Sequence, residues 1–207
     1  MSQDKYLVVA FIISCLAWFL YSDRKINENF LLYVIAFAGL LLSLSLYTAG
    51  SLSLLSVISS TMKLVLAYFV VKTVGERFVD TFINVVVLLA VFSLFGYLSD
   101  TFNLFDGIVT KLPPVGNMGY EGILYLYRFP WHIDRNNSIF FEPGAYQVFL
   151  NAALFLLFFA KNGFSEKRNW IYIIVLIVTL ATTLSTAGFL IFIVLFAMFL
   201  YRSEVLS

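Results

Sequence analysis

Arg135-Asn136-Asn137-Ser138-Ile139-Phe140-Phe141-Glu142-Pro143-Gly144-Ala145 is the stretch where a polar loop, residues 99–137, re-enters a long apolar run. A guanidinium, a carboxylate, a proline and a glycine stand together at the start of a candidate membrane span. Charged groups beside hydrocarbon are costly, so in a membrane protein they mark a functional site by default. The plain alternative is that Arg135 and Glu142 are interfacial anchors and Pro143 is a first-turn helix residue. Residue chemistry alone leaves both readings standing.

The membrane setting follows from composition. Of the 207 residues, 61% are hydrophobic and 12% charged, and the mean hydropathy is +0.94. A soluble domain carries about a quarter charged residues. The expected fold class is therefore all-α, a polytopic transmembrane helical bundle of about six to seven spans with one long extracytoplasmic loop. Residues 1–207 are read as a single membrane domain. A net charge of +1 without a clustered basic surface argues against a nucleic-acid partner. Cys15 is the sole cysteine, which excludes an internal disulfide and a cysteine-based metal site. A single histidine, His132, cannot build a metal site by itself. No Gly-rich phosphate loop is present, so nothing suggests ATP hydrolysis. Neither a metal nor a cofactor is expected. Packing and interfacial belts account for most of the aromatic side chains.

Around the opening stretch, the apolar runs predict spans at residues 6–21, 30–47, 54–74, 79–98 and 140–160. Lys63 and Lys72, in the third span, are read as close enough to an end to snorkel. Asn84, in the fourth, is read as a helix–helix hydrogen-bonding residue. In the long loop, Phe102, Phe105, Ile108 and Val109 fall at helical spacing, which suits a segment lying on the membrane surface. Pro113-Pro114 and residues 116–119 break it. The alternation of Tyr125, Tyr127, Phe129 and Trp131 admits an extended interfacial segment or a short strand. Residues 170–201 form an apolar run that, as one straight helix, would be about 48 Å long against a hydrocarbon core of about 30 Å. Residues 182–188 interrupt it. Two short spans, 170–184 and 188–201, joined by a polar turn at 185–188 are the first reading, and one tilted or kinked helix is the second.

Lys and Arg placement sets the orientation. One side collects Arg24, Lys25, Lys72, Arg77, Lys161, Lys167, Arg168 and, for a hairpin, Arg202; the other collects Lys5, Lys63, Lys111, Arg128 and Arg135. The richer side is cytoplasmic by this rule. The chain is expected in the bacterial cytoplasmic (inner) membrane as a multi-pass protein with loop 99–137 extracytoplasmic.

The spelling Arg-x-x-Ser-x-Phe-x-Glu-Pro, from Arg135, Ser138, Phe140, Glu142 and Pro143, resembles the Arg-x-x-Gly-x-Phe-x-x-Pro signature of the bacterial O-antigen ligase and polysaccharide polymerase family. There the signature ends a large outer loop and opens a span. A charged cytoplasmic loop and a run broken by a Ser-Arg-Gly-like turn follow. Leu184-Ser185-Thr186-Ala187-Gly188 is similar to the Ser-Thr-x-Gly version of that turn. The likeness covers roughly residues 99–201, and the first four spans match in character only. Two departures stand out: the turn lacks the arginine common after its serine, and members are commonly about twice this length. On the resemblance the chain is expected to be an N-terminal portion.

The resemblance implies a metal-independent glycosyltransferase acting on lipid-linked glycan. An acceptor sugar hydroxyl on one repeat unit attacks the anomeric carbon of a polyprenyl pyrophosphate-linked oligosaccharide, and polyprenyl pyrophosphate leaves. Arginines would carry the leaving-group charge, for which a guanidinium is suited. Arg135 is the candidate for pyrophosphate and Arg128 a second. Ser138, Ser185 and Thr186 are the remaining substrate-binding candidates. Glu142 is a candidate general base or a carboxylate capping the helix start. His132 is a candidate acid or base, or a polar anchor at the interface. Besides the oligosaccharide and membrane lipid, the implied partners are a chain-length regulator or a separate C-terminal half. Three other readings compete: an O-antigen ligase passing glycan to lipid A-core, a transporter or flippase for lipid-linked sugars, and a non-catalytic membrane fragment. A transporter wants ionisable groups along a path at mid-membrane, whereas here the spans are nearly free of ionisable groups and the polar chemistry sits at the outer face.

Overall fold

The computed structural model describes residues 3–23, 25–47, 53–102, 104, 110–115, 118–123, 126–128, 134–140, 142–161 and 163–205. Helices carry the fold: α1 (Gln3–Tyr21), α2 (Glu28–Tyr47), α3 (Leu54–Val74), α4 (Phe78–Thr101), α5 (Pro143–Ala160), α6 (Lys167–Thr183) and α7 (Thr186–Val205). Three helical runs are long and apolar enough to cross a membrane: Glu28–Tyr47, Leu54–Thr101 and Pro143–Ala160. Shorter apolar helices lie at Leu7–Tyr21 and Thr186–Arg202. The chain is therefore a helical membrane protein. The run Leu54–Thr101 is broken at Gly75, whose φ of 59° leaves the right-handed helical region while its N–H still bonds Val71 O. A side chain is strained in that conformation, and glycine is not.

The helices pack into two compact units, residues 1–78 and 79–207. In the first, α1 and α3 meet through Trp18 stacked on Phe69 at 4.9 Å, and α2 meets α3 through Phe30 on Tyr68 at 3.7 Å. The Asn27 N–H donates to Tyr68 Oη at 3.0 Å. Ser53 caps α3 by accepting from the Ser56 N–H. No residue of α2 is buried. In water such a surface would aggregate; against lipid tails it costs nothing.

The second unit is built around α5, whose Tyr146, Leu150, Ala153 and Leu154 are fully buried. The residues Ile83, Val86, Val87, Ala90, Ser93 and Gly96 fall on one face of α4 and are buried too. Small members of that face allow close approach of neighbouring helices. Named contacts give the directions. Asp80 at the start of α4 pairs with Lys161 just after α5 at 2.8 Å, and Ser93 bonds Tyr146 near the start of α5 at 2.9 Å. The two helices are therefore antiparallel. Asn169 Nδ2 donates to Lys161 O and Tyr172 Oη to Asn84 Oδ1, so α6 starts at the same end as α4. The second of these bonds is the helix–helix role expected of Asn84. Gly188 lies against Gln147, and Phe199 stacks on Phe158 at 4.8 Å, so α7 runs alongside α5 in the same direction. Hence α6 and α7 form an antiparallel hairpin, not one tilted helix.

The turn of that hairpin differs from expectation in one respect. It was expected at 185–188, but α6 ends at Thr183 and the reversal falls on Leu184-Ser185. Leu184 adopts the left-handed conformation, φ 48° and ψ 33°. Thr186, Ala187 and Gly188 already belong to α7.

Within the long loop, β1 (Thr110–Val115), β2 (Met118–Ile123) and β3 (Leu126–Arg128) form an antiparallel sheet in the order β1-β2-β3. Thr110 opposes Gly122 and Glu121 opposes Arg128. The register shifts between Leu112 and Val115, where Pro113 and Pro114 have no N–H to give the ladder. Of the two forms open to the aromatic segment, the strand is found at residues 126–128. The surface helix expected at Phe105, Ile108 and Val109 lies outside the described residues.

Candidate functional site

Residues 134–138 fold over one end of the second unit and join it through Asn136. The Asn136 N–H donates to Thr182 O at 2.9 Å, and Asn136 Nδ2 donates to Thr182 Oγ1 at 2.9 Å and Ser93 Oγ at 3.2 Å. Asn136 Oδ1 accepts the Ser138 N–H at 3.1 Å. Thus one asparagine ties the loop to α4 and α6 and shapes the turn beyond it. Tyr97 Oη donates to Asp134 O at 3.1 Å, adding a second tie to α4. Ser93 shares its hydroxyl with Tyr146 Oη, which extends the network to α5.

The groups beside this anchor are not satisfied. Asn137 is 1% exposed, and neither its Oδ1 nor its Nδ2 has a hydrogen-bond partner among the described residues. Ser138 is equally enclosed; its Oγ lies near the Tyr146 phenol yet makes no hydrogen bond, and its φ is 53°. Arg135 is half-buried, with Nε enclosed and unpartnered. Each enclosed, unsatisfied polar group costs about 1–3 kcal/mol, and a left-handed backbone on a non-glycine residue costs a comparable amount. Such costs persist only where surrounding structure imposes them, and here the Asn136 bonds do so.

One turn along the bundle lies a further polar layer. Gln147 and Asn151, both buried, stand four residues apart on one face of α5. Asn151 Nδ2 donates to Gln147 Oε1 at 2.9 Å and to Gly188 O at 3.2 Å, while its Oδ1 is unpartnered. A Cβ on Gly188 would sit 3.0 Å from Gln147 Cβ and 3.1 Å from Leu180 Cδ1. Glycine is thus required there for close approach of α7, not for the turn.

The loop and the hairpin turn are brought together. Thr182 takes the Asn136 bonds, and Ser185 follows three residues on. The Ser185 hydroxyl accepts the Gly188 N–H at 3.3 Å, capping α7, and the Ser185 N–H bonds Thr183 Oγ1. Thr186 is exposed in the first turn of α7. Glu142 is exposed and is the N-cap of α5 by its backbone (φ −147°, ψ 149°), but its carboxylate makes no capping hydrogen bond. The helix begins at Pro143, three residues later than expected, because proline suits the first helical position. Arg128 belongs to β3 by its backbone, and His132 lies outside the described residues. Among the described residues, no three His, Cys, Asp or Glu side chains gather as a metal site.

The reading from sequence missed Asn136, Asn137, Ser93, Gln147 and Asn151. The adjacent asparagines stood in plain view inside the signature, and the Gln147–Asn151 spacing on an apolar span was the other available signal. The first unit has its own cavity of about 690 Å³, lined by Tyr21, Asp23, Tyr68, Lys72 and Glu76 among others. The backbone N–H of Lys25 and the Ser22 hydroxyl hold the Asp23 carboxyl below the usual carboxylate range. None of the candidate residues from the sequence lines this cavity. Comparison with protein-family models, curated proteins and solved structures finds no match.

Proposed function

We propose that this chain is a membrane glycosyltransferase of the polysaccharide polymerase type. It joins polyprenyl pyrophosphate-linked repeat units in O-antigen or related surface polysaccharide synthesis. The observation that carries the reading is the docking of the Arg135–Ser138 segment on the end of the α6–α7 hairpin, through Asn136 and Thr182. These are the two segments in which the family resemblance was seen, and they lie far apart in sequence. Their meeting supports a single site at one end of the bundle.

In this reading all seven helices cross the bacterial inner membrane, with the N-terminus and loop 99–137 outside and the Lys161 end cytoplasmic. Arg135 binds the pyrophosphate of the donor. A guanidinium stays protonated and meets phosphate oxygens through two parallel N–H groups. An acceptor hydroxyl attacks the anomeric carbon, the C–O bond to pyrophosphate breaks, and the leaving group's negative charge falls to Arg135. The hydroxyl proton passes to a base, for which Glu142 and His132 are the candidates. Glu142 is favoured by its exposure and by the absence of a capping bond on its carboxylate. Titratable side chains of α4 to α7 cluster at helix ends, which suits chemistry at the surface better than a transport path.

The test is reconstitution of the purified protein in proteoliposomes with lipid-linked oligosaccharide from the cells that make it. The expected product is a ladder of glycans differing by one repeat unit, with release of polyprenyl pyrophosphate. Arg135→Ala should give no ladder. Absence of any elongated glycan from the unaltered protein would remove the proposal.

A further inference from the structure

The two neighbouring asparagines of the docked segment differ in one respect. Every polar atom of the Asn136 side chain is bonded, whereas both amide atoms of Asn137 are enclosed and unbonded. Leaving both ends of a buried amide unpaired is costly, and an apolar residue of the same shape would remove that cost. Asn137 is therefore poorly explained by folding and needs a partner that the described residues do not supply. The partner's chemistry is constrained. Nδ2 offers donors and Oδ1 an acceptor. The pyrophosphate of a polyprenyl carrier is almost fully ionised at neutral pH, so it offers mainly acceptors and would leave Oδ1 facing negative oxygen. A ligand that brings a donor and an acceptor side by side is required. Adjacent hydroxyls on a sugar ring do this, since each O–H both donates and accepts and the pair is spaced to match the two ends of one planar amide.

We propose that Asn137 reads a vicinal diol of the glycan, one hydroxyl accepting from Nδ2 and its neighbour donating to Oδ1, while Arg135 takes the pyrophosphate. This rests on the lipid-linked glycan reading above and adds to it a recognition element for the sugar. Entry requires Asn137 and Ser138 to shift while the Asn136 bonds to Ser93 and Thr182 hold, and relief of the left-handed Ser138 conformation helps that motion. Binding then replaces an unsatisfied amide with a satisfied one, so the site discriminates strongly against a ligand lacking the hydroxyls.

Three probes separate the outcomes in binding measurements on the full chain in detergent. They are intact lipid-linked oligosaccharide, the same material after periodate cleavage of its vicinal diols and borohydride reduction, and bare polyprenyl pyrophosphate. The unaltered protein should bind the intact probe about tenfold or more tightly than the cleaved one, the worth of two hydrogen bonds at about 1 kcal/mol each less the cost of opening. The cleaved and bare probes should bind alike. Asn137→Leu should lose the preference, keep affinity for the bare probe, and melt at a higher temperature than the unaltered protein. Asn137→Ala should lose the preference too, and it stands in if leucine does not fit. Equal binding of intact and cleaved probes by the unaltered protein would overturn the role of Asn137 and leave the pyrophosphate reading intact. Binding of none of the three would overturn that underlying reading as well. A lower melting temperature for Asn137→Leu, with the preference kept in Asn137→Ala, would make the amide structural and end the proposal.

Discussion

Asn136 and Asn137 are chemically identical neighbours put to opposite uses, and this sets the expectations at the scale of single residues. Asn136→Ala removes a buried group that serves α4, α6 and the loop together. It should cost about 2–4 kcal/mol of stability, because the Ser93 and Thr182 hydroxyls lose a partner. Chemical denaturation in mild detergent measures it, and a change below about 0.5 kcal/mol would show that the loop is held elsewhere. Arg135 follows a different rule. Its replacement by alanine should abolish chain elongation, and Arg135→Lys should impair it, since an ammonium keeps the charge but loses the planar fork. Neither change should alter stability much, because Nε has no partner to lose. For Glu142 the missing capping bond narrows two alternatives. Glu142→Gln should lower the rate by a factor of about 100 or more if the carboxylate accepts the hydroxyl proton. A glutamine enzyme with near-normal turnover would return Glu142 to a purely interfacial role. None of these distinctions could be read from residue type. Burial and partners depend on what packs over a side chain, and for Asn136 two of those partners, Ser93 and Thr182, stand 43 and 46 positions away.

At the scale of elements, the α6–α7 hairpin turns on a leucine, not on the glycine that the sequence offers for the purpose. Leu184 holds φ 48°, a conformation that costs a residue with a Cβ about 1–2 kcal/mol. Leu184→Gly should therefore raise stability by about 1 kcal/mol, seen as a higher melting temperature. A fall would mean that the leucine side chain is worth more in its surroundings than the backbone strain costs. Gly188 predicts the reverse. With Gln147 Cβ at 3.0 Å from where a methyl would sit, Gly188→Ala should push α7 off α5 and cost about 1–3 kcal/mol. The sequence placed a break in the last apolar run correctly, because hydroxyl residues and a glycine in mid-span are a local signal. It could not assign the two roles, since a turn and a close approach both call for a small residue. The short sheet in the loop was legible only as an alternation at residues 125–131, and its other two strands are decided by pairing.

For the whole molecule, the proposed seven-span arrangement is testable by labelling. In a Cys15→Ala background, a cysteine at Asn117 should react with an impermeant thiol reagent in intact cells, and one at Ser165 should not. The reverse pattern would invert the topology and put the Arg135 site in the cytoplasm. A reporter fused after Ser207 should behave as cytoplasmic, since α7 runs back in the direction of α5. The ion pair between Asp80 and Lys161 belongs to the same end as Asn169, and both side chains are about a third to a half exposed. Asp80→Asn should accordingly cost no more than about 1 kcal/mol.

Membrane class and the position and approximate ends of the helices were set by the sequence alone. The physical reason is that hydrocarbon demands a continuous apolar run with its backbone bonded internally, a requirement met locally, residue after residue. The charged turn at residues 75–77 and Pro143 at a helix start are local in the same sense. Tertiary structure alone decided that residues 134–138 lie on the end of α6, that Asn137 is enclosed while Glu142 is not, and that α7 returns beside α5. Each of these depends on which apolar faces meet, and faces that are nearly uniform in hydropathy carry no address. The choice falls instead to a few small or polar residues, Ser93, Asn136, Asn151, Thr182 and Gly188, whose meaning appears only when their partners are beside them.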